Sequence, residues 1–324
     1  MYDILTIGDI KLDTFILIPD ASVNCELKMP SCQLCIDYGT KIPVDDIDTQ
    51  IAGSAPNVAI GIAKMRKMSA VYSIMGKDIL YSIAVEHLKN AKVETRYIKT
   101  NKHEDSSFAA VLNFRGESTQ LVSHGEGHYR LPKQMPSTEW IHISELGEGY
   151  VSLYKDLIRL KTQRDVNISF NPGAIQIEER KKELFDLIKH SAVLILNKDE
   201  AKDLLQLKGE PQPHFIMAKL MGLGAKYVVV TDGRAGAYAF DGDQLDFAPM
   251  FPGERVEATG AGDAFATGFL GALMHGKRHN CALQWGAVNA ASVVNEIGPT
   301  RGLLTHTEIK RRLKARPSYK TEEL

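Results

Sequence analysis

Long apolar runs are missing from this chain of 324 residues, and none approaches the roughly 20 residues that a membrane-spanning helix needs. The opening Met1 to Ile10 also lacks the basic-then-apolar layout of a signal peptide, so a soluble, cytoplasmic protein is expected. Charge of one sign is missing too. Lys and Arg number 39 against 40 Asp and Glu, a formal charge of -1, with no long block of either sign. A polyanion-binding groove is therefore not indicated, and neither nucleic acid nor a membrane is an expected partner. Cysteine is scarce. Four cysteines in a chain this long make no disulfide framework. No internal repeat, low-complexity tract or separating linker is present, which argues against independent domains.

What is present is apolar punctuation in a regular order. A hydrophobic content of 44% suffices for a large core. Tyr2 to Gly8, Trp140 to Ile143, Asn167 to Phe170, Ala192 to Leu196 and Tyr227 to Thr231 are short apolar runs with turn or polar residues at their ends, as in buried strands. Between them Tyr150 to Thr162, Glu178 to His190 and Lys198 to Leu207 repeat apolar residues at three- and four-residue intervals, predicting helices. This alternation predicts an α/β fold with a mostly parallel central sheet flanked by helices. Two segments break the rhythm, about 13–50, with Pro19, Pro30, Gly39 and Pro43, and about 106–123, with two strands around Arg115-Gly116-Glu117. Both are expected to form a small β-lid on a single domain spanning 1–324, and an exposed lid edge suits a homodimer. The polar tail Arg316 to Leu324 is expected to fray.

Three of the four cysteines cluster. Cys25, Cys32 and Cys35 include a Cys-x-x-Cys, which would be most of a zinc site; no fourth ligand is close by in sequence, Cys281 is far along the chain, and His124 or His128 would join only if the fold brought them near. Free thiols are the other reading.

The strongest local signal is Glu257-Ala258-Thr259-Gly260-Ala261-Gly262-Asp263-Ala264-Phe265, followed by a helix-compatible run through His275. Glycines let backbone approach a ligand, and a helix start leaves amides unpaired at the positive end of the dipole. Amides from Gly260 through Ala261 and Gly262 to Asp263 therefore predict an anion hole for a phosphoryl group, with Asp263 beside it as proton acceptor. A favourable first-turn acid on an ordinary helix fits the same residues. Far upstream, Ala52-Gly53-Ser54-Ala55-Pro56-Asn57 opens a second predicted helix, Val58 to Met68. Asn57 there either bonds substrate hydroxyls or sits in the first turn after Pro56.

In this order, the two motifs resemble the paired signatures of the ribokinase-like (PfkB) carbohydrate and nucleoside kinases, across nearly the whole chain. The resemblance implies a three-layer ribokinase-like fold, an ATP-dependent transfer of the γ-phosphate to a hydroxyl of a sugar or nucleoside, and Asp263 as base. It implies acceptor contacts from Asp13, in Gly8-Asp9-Ile10-Lys11-Leu12-Asp13, and from Gly53 and Asn57. It implies Mg²⁺ held through water by Asn197 and Glu200, in Asn197-Lys198-Asp199-Glu200, which equally suits a helix cap. ATP would meet Asn197, the turn Thr231-Asp232-Gly233-Arg234-Ala235-Gly236, and Asn289 near the adenine.

Departures bear on the acceptor. Ala52 stands where Gly is usual, Lys11 and Ser54 where ribose enzymes often carry Asn and Lys, and Glu257 where some relatives use Asp to help hold a monovalent cation. Potassium activation is thus left open. Asn171-Pro172-Gly173 looks like nucleoside-kinase relatives, or a plain strand-exit turn. The alternative function is a catalytically silent sugar- or nucleotide-binding regulator of the same fold. A dinucleotide-dependent oxidoreductase is disfavoured because no Gly-x-Gly-x-x-Gly follows the first strand.

Overall fold

The computed structural model describes residues 1–19, 21–24, 33–115, 117–123, 125, 129–132 and 134–324. The first half of the chain runs β1 (Tyr2–Ile7), β2 (Lys11–Leu17), β3 (Ser22–Asn24), β4 (Gln33–Cys35), β5 (Asp46–Ala52), α1 (Ser54–Lys64), β6 (Ser69–Gly76), α2 (Ile79–Asn90), β7 (Ile98–Asn101), β8 (Ser107–Phe114), β9 (Glu117–Ser123) and β10 (Thr138–Ile143). Then follow α3 (Val151–Gln163), β11 (Asn167–Phe170), α4 (Ala174–Glu179), α5 (Lys182–Lys189), β12 (Val193–Asn197), α6 (Lys198–Leu205), α7 (Pro213–Met221) and β13 (Tyr227–Thr231). The chain closes with β14 (Ala237–Phe240), β15 (Leu245–Ala248), α8 (Ala261–Met274), α9 (His279–Val293), α10 (His306–Ala315) and β16 (Glu322–Glu323).

Ten strands form the central sheet in the order β16-β15-β14-β13-β12-β11-β10-β1-β6-β7. From β13 to β7 all neighbours are parallel, and β14, β15 and β16 add an antiparallel edge. Burial of runs such as Val228, Val229 and Val230 on both faces explains why these strands read as continuous apolar stretches rather than alternating ones. Leu5 and Ile7 pack toward α3, α5, α6 and α7, while Ile4 packs toward α1, α8 and α9. That alternation makes the sheet the middle of three layers.

Strand order reverses at β1, which is flanked by β6 on one side and β10 on the other. Side chains that follow the carboxyl ends of these two strands therefore meet in a crevice, the position where open parallel sheets bind ligands. Over the crevice lies a second sheet in the order β5-β2-β8-β9, whose strands fall largely within segments 13–50 and 106–123. Phe15, Ala109 and Val111 tie it to Ile297 of the body.

Three local expectations are corrected. The helix read over Glu178 to His190 is two helices, because Arg180 adopts a left-handed conformation (φ 49°) between α4 and α5. The upstream helix starts at Ser54 rather than Val58, and Gly53 caps it. The tail after α10 does not fray: the Tyr319 ring stands edge-on to Phe251 at 4.9 Å, its hydroxyl donates to the Pro249 carbonyl at 2.7 Å, and Glu322–Glu323 pair with β15. One half-buried aromatic outweighs the polar character of its neighbours. Among the described residues no helix is long and apolar enough to cross a membrane.

Candidate active site

The exits of β1 and β10 are locked together first. Asp9 Oδ2 accepts the Gly147 amide at 3.0 Å, and the buried Tyr129 hydroxyl donates to Asp9 Oδ1. Gly53, at φ 116°, begins α1 against this exit, and a Cβ there would lie 2.2 Å from the Asp9 carbonyl oxygen. Only glycine lets the helix start so near the strand end.

Asn57, in the first turn of α1, donates from Nδ2 to Asp263 Oδ2 at 2.7 Å. The two glycine-bearing motifs thus meet although 206 positions separate these residues. Ser54 adds a second side-chain hydrogen bond to Asp263. Burial raises the Asp263 pKa; Asn57, Ser54 and Lys11 oppose the rise and Glu145 adds to it. Asp13, in β2, is only 2% exposed. Burial pushes its carboxyl up to about 6, against the pull of Lys11 and with further push from Asp263, Glu145 and Glu257. Asp13 Oδ1 and Asn57 Oδ1 are both buried without a hydrogen-bond partner. Two orphaned acceptors in one crevice suit a ligand that brings hydroxyl donors.

Lys11 and Glu145 complete this end. Lys11 Nζ lies 3.4 Å from Glu145 Oε2 and is buried. Burial pulls the lysine pKa down, but Glu145, Asp13 and Asp263 outweigh it and hold the ammonium above its ordinary value. Sequence reasoning passed over Glu145 and Tyr129. For Glu145 a signal existed, since it follows the end of β10 by the same two positions that separate Asp9 from the end of β1.

At the phosphate end Gly260 caps α8 at φ 78°, where a Cβ would lie 2.4 Å from Pro299 Cβ. The amides of Gly260, Gly262 and Asp263 carry no hydrogen bond within the described residues. The Ala261 amide does, to the Ala258 carbonyl at 3.2 Å, so the expected anion hole has three open amides and Ala261 is not one of them. The first turn tightens toward i to i+3 bonding, which closes that amide. Space in front of Gly262 is open to 4 Å from its would-be Cβ. The turn is also tied to the second sheet. The buried Glu257 accepts the Thr259 amide at 2.6 Å and the Ser118 hydroxyl, in β9, at 2.8 Å, and Arg255 pairs with Glu117 at 3.3 Å.

Beside Gly262 lies a cleft of about 390 Å³ whose walls include Thr231, Gly233 and Gly236, with Arg234, Arg255 and Phe251. Of these, Arg255 and Phe251 were not read from the sequence. Asn289 does not line it. Its Nδ2 donates to the Ala264 carbonyl at 2.7 Å and its Oδ1 accepts the Leu304 amide at 2.9 Å, in a fully buried position. The reason is helical phase: Ala287, Ala290, Ala291 and Val294 present one face of the α9 region to the cleft, and Asn289 sits on the other.

Asn197 and Glu200 form a reciprocal cap at the start of α6, with Glu200 Oε2 accepting the Asn197 amide at 2.9 Å and Asn197 Oδ1 accepting the Glu200 amide at 2.8 Å. Burial pushes Glu200 up to about 7; the bond from the Asn197 amide lowers it, and Glu145, Asp263 and Asp199 push it further up. A carboxylate with other carboxylates about it suits a site that takes a hard cation. The zinc reading falls on Cys25, Cys32, His124 and His128, which lie outside the described residues; among the described residues Cys35 is an exposed free thiol and no three potential ligands gather.

Comparison with known proteins gives this geometry its family. Residues 21–306 match the pfkB family carbohydrate kinase pattern, and the chain belongs to that family. It is a kinase, a phosphotransferase acting on a hydroxyl. It is 24% identical over 307 residues to an ATP-dependent 6-phosphofructokinase of Thermoanaerobacterium thermosaccharolyticum, covering 92% of this chain and 89% of that one. It is 27% identical over 305 residues to a cytidine kinase of Thermococcus kodakarensis, covering 92% and 98%. An Arabidopsis thaliana ribokinase complexed with ribose and ATP superposes with a TM-score of 0.79 at 20% identity, covering 97% of this chain and 99% of that one, which establishes the ribokinase-like fold.

Proposed function

We propose that this kinase transfers the γ-phosphate of ATP to a primary hydroxyl of a sugar or nucleoside, with Asp263 as general base. The observation that carries the reading is the 2.7 Å bond between Asn57 and Asp263, which sets the acceptor-binding motif against the glycine turn of α8. Asp13, Gly53 and Asn57 orient the acceptor; the orphaned oxygens of Asp13 and Asn57 accept hydrogen bonds from its hydroxyls. Asp263 removes the proton of the attacking hydroxyl, and the open amides of Gly260, Gly262 and Asp263 stabilise the charge that develops on the transferred group. ATP occupies the cleft at Thr231, Gly233 and Gly236. Asn197 and Glu200 would hold Mg²⁺ through its waters, and the ion would screen the phosphates. The second sheet closes over the acceptor as a lid and excludes water. Its edge strand β9, with Leu121 61% and Val122 39% exposed, supports a homodimer through the lid.

The test is Asp263→Asn, assayed by ADP release with Mg-ATP and a responsive acceptor. Turnover is expected to fall about a hundred- to ten-thousandfold with nucleotide binding retained. Turnover at the wild-type rate would remove Asp263 from the chemistry.

A further inference from the structure

We infer that the acceptor is a neutral polyhydroxyl compound, and that the pocket rejects sugar acids and sugar phosphates because its buried cation already serves the pocket's own carboxylates. This rests on the kinase reading above and narrows its substrate class, which family membership leaves open.

A buried lysine in a sugar pocket invites the opposite reading, a receptor for an acceptor carboxylate or phosphate. The surroundings of Lys11 argue against it. Its ammonium lies 3.4 Å from Glu145 Oε2, and Asp13 and Asp263 also draw it. Three carboxylates thus surround one ammonium, with Glu257 adding its charge toward Asp13. Counted over these described side chains, the charge stays negative even with one carboxylate protonated, and an anionic acceptor would meet repulsion from them in a site of low dielectric. Among the described residues Arg255 pairs with Glu117 at 3.3 Å and Arg301 with Asp48 at 2.7 Å.

Hydrogen-bond demand points the same way. The unpartnered buried atoms of the pocket, Asp13 Oδ1 and Asn57 Oδ1, are acceptors. Hydroxyls satisfy them, whereas the anionic group of a sugar acid or phosphate, which brings acceptors only, cannot be seated against them. The lysine then acts as an internal counter-charge that keeps neighbouring carboxylates ionised, rather than as a ligand group.

The full chain is assayed with Mg-ATP on matched acceptors: ribose with ribonate, glucose with gluconate, fructose with fructose 6-phosphate, together with nucleosides. Neutral members are expected to exceed every anionic one by at least about a hundredfold in kcat/KM, as like-charge juxtaposition demands. Any sugar acid or sugar phosphate within that hundredfold of the best neutral acceptor overturns the inference and leaves the kinase reading intact. If the whole panel is inert while ATP still binds, the kinase reading fails and the acceptor class falls with it. Lys11→Gln separates the two roles of the lysine. Loss of kcat on the neutral acceptor is expected; a variant with unchanged neutral turnover and a raised KM only for anionic acceptors marks an anion receptor and overturns the inference.

Discussion

Replacing Asp13 by Asn should make the ligand-free protein more stable while disabling it. Asp13 is 2% exposed, and its folded pKa stands near 6 against an ordinary 3.8. A rise of that size corresponds to about 3 kcal/mol of unfavourable free energy once the carboxylate is ionised. Asn keeps the shape but sets an amide beside Lys11, so a net gain of about 1 to 3 kcal/mol is expected above neutral pH. For a chain of this size that is about 1.5 to 4.5 °C in Tm. The sign follows from linkage. With the folded pKa raised, the cost is absent below about pH 4, where Asp13 is protonated in both states, and it grows until pH passes about 6. Wild type and Asp13→Asn should therefore melt alike near pH 4 and diverge by pH 7.5, while kcat/KM for the acceptor collapses in the variant. Thermal melts across that range decide the matter. A variant no more stable than wild type at pH 7.5, or an advantage that persists unchanged to pH 4, refutes the claim that a buried carboxylate with an orphaned oxygen is kept for substrate.

Gly260→Ala should destabilise by about 2 to 4 kcal/mol, from the left-handed backbone and the 2.4 Å approach to Pro299, and lower kcat by displacing the start of α8; urea denaturation with parallel kinetics checks both. Asn289→Ala should cost about 2 to 4 kcal/mol by orphaning the Ala264 carbonyl and the Leu304 amide, with KM for ATP unchanged. A large rise in that KM without loss of stability would restore Asn289 to the nucleotide site.

Strand and helix alternation was legible because parallel strands buried on both faces must be apolar throughout, and Asn167–Phe170 and Tyr227–Thr231 were read to the residue. The glycine turns were legible as well, since backbone that approaches a ligand or adopts a positive φ writes glycine into the sequence, as at Gly53 and Gly260. The break at Arg180 was not, because a left-handed residue between two short amphipathic helices leaves the apolar period intact. Nor was the docking of the tail, which depends on Phe251, 68 positions before Tyr319, being under the ring.

By itself the sequence determined the layered α/β architecture and the chemistry-bearing ends of its strands, because local periodicity and backbone constraint are properties of neighbouring residues. Only the tertiary structure decided which groups are in use. It turned Asn289 inward, closed the Ala261 amide, gathered Asp13, Lys11, Glu145 and Asp263 into one electrostatic unit, and joined Asn57 to Asp263. Side-chain direction, burial and charge coupling are set by residues remote in the chain, and no local pattern encodes them.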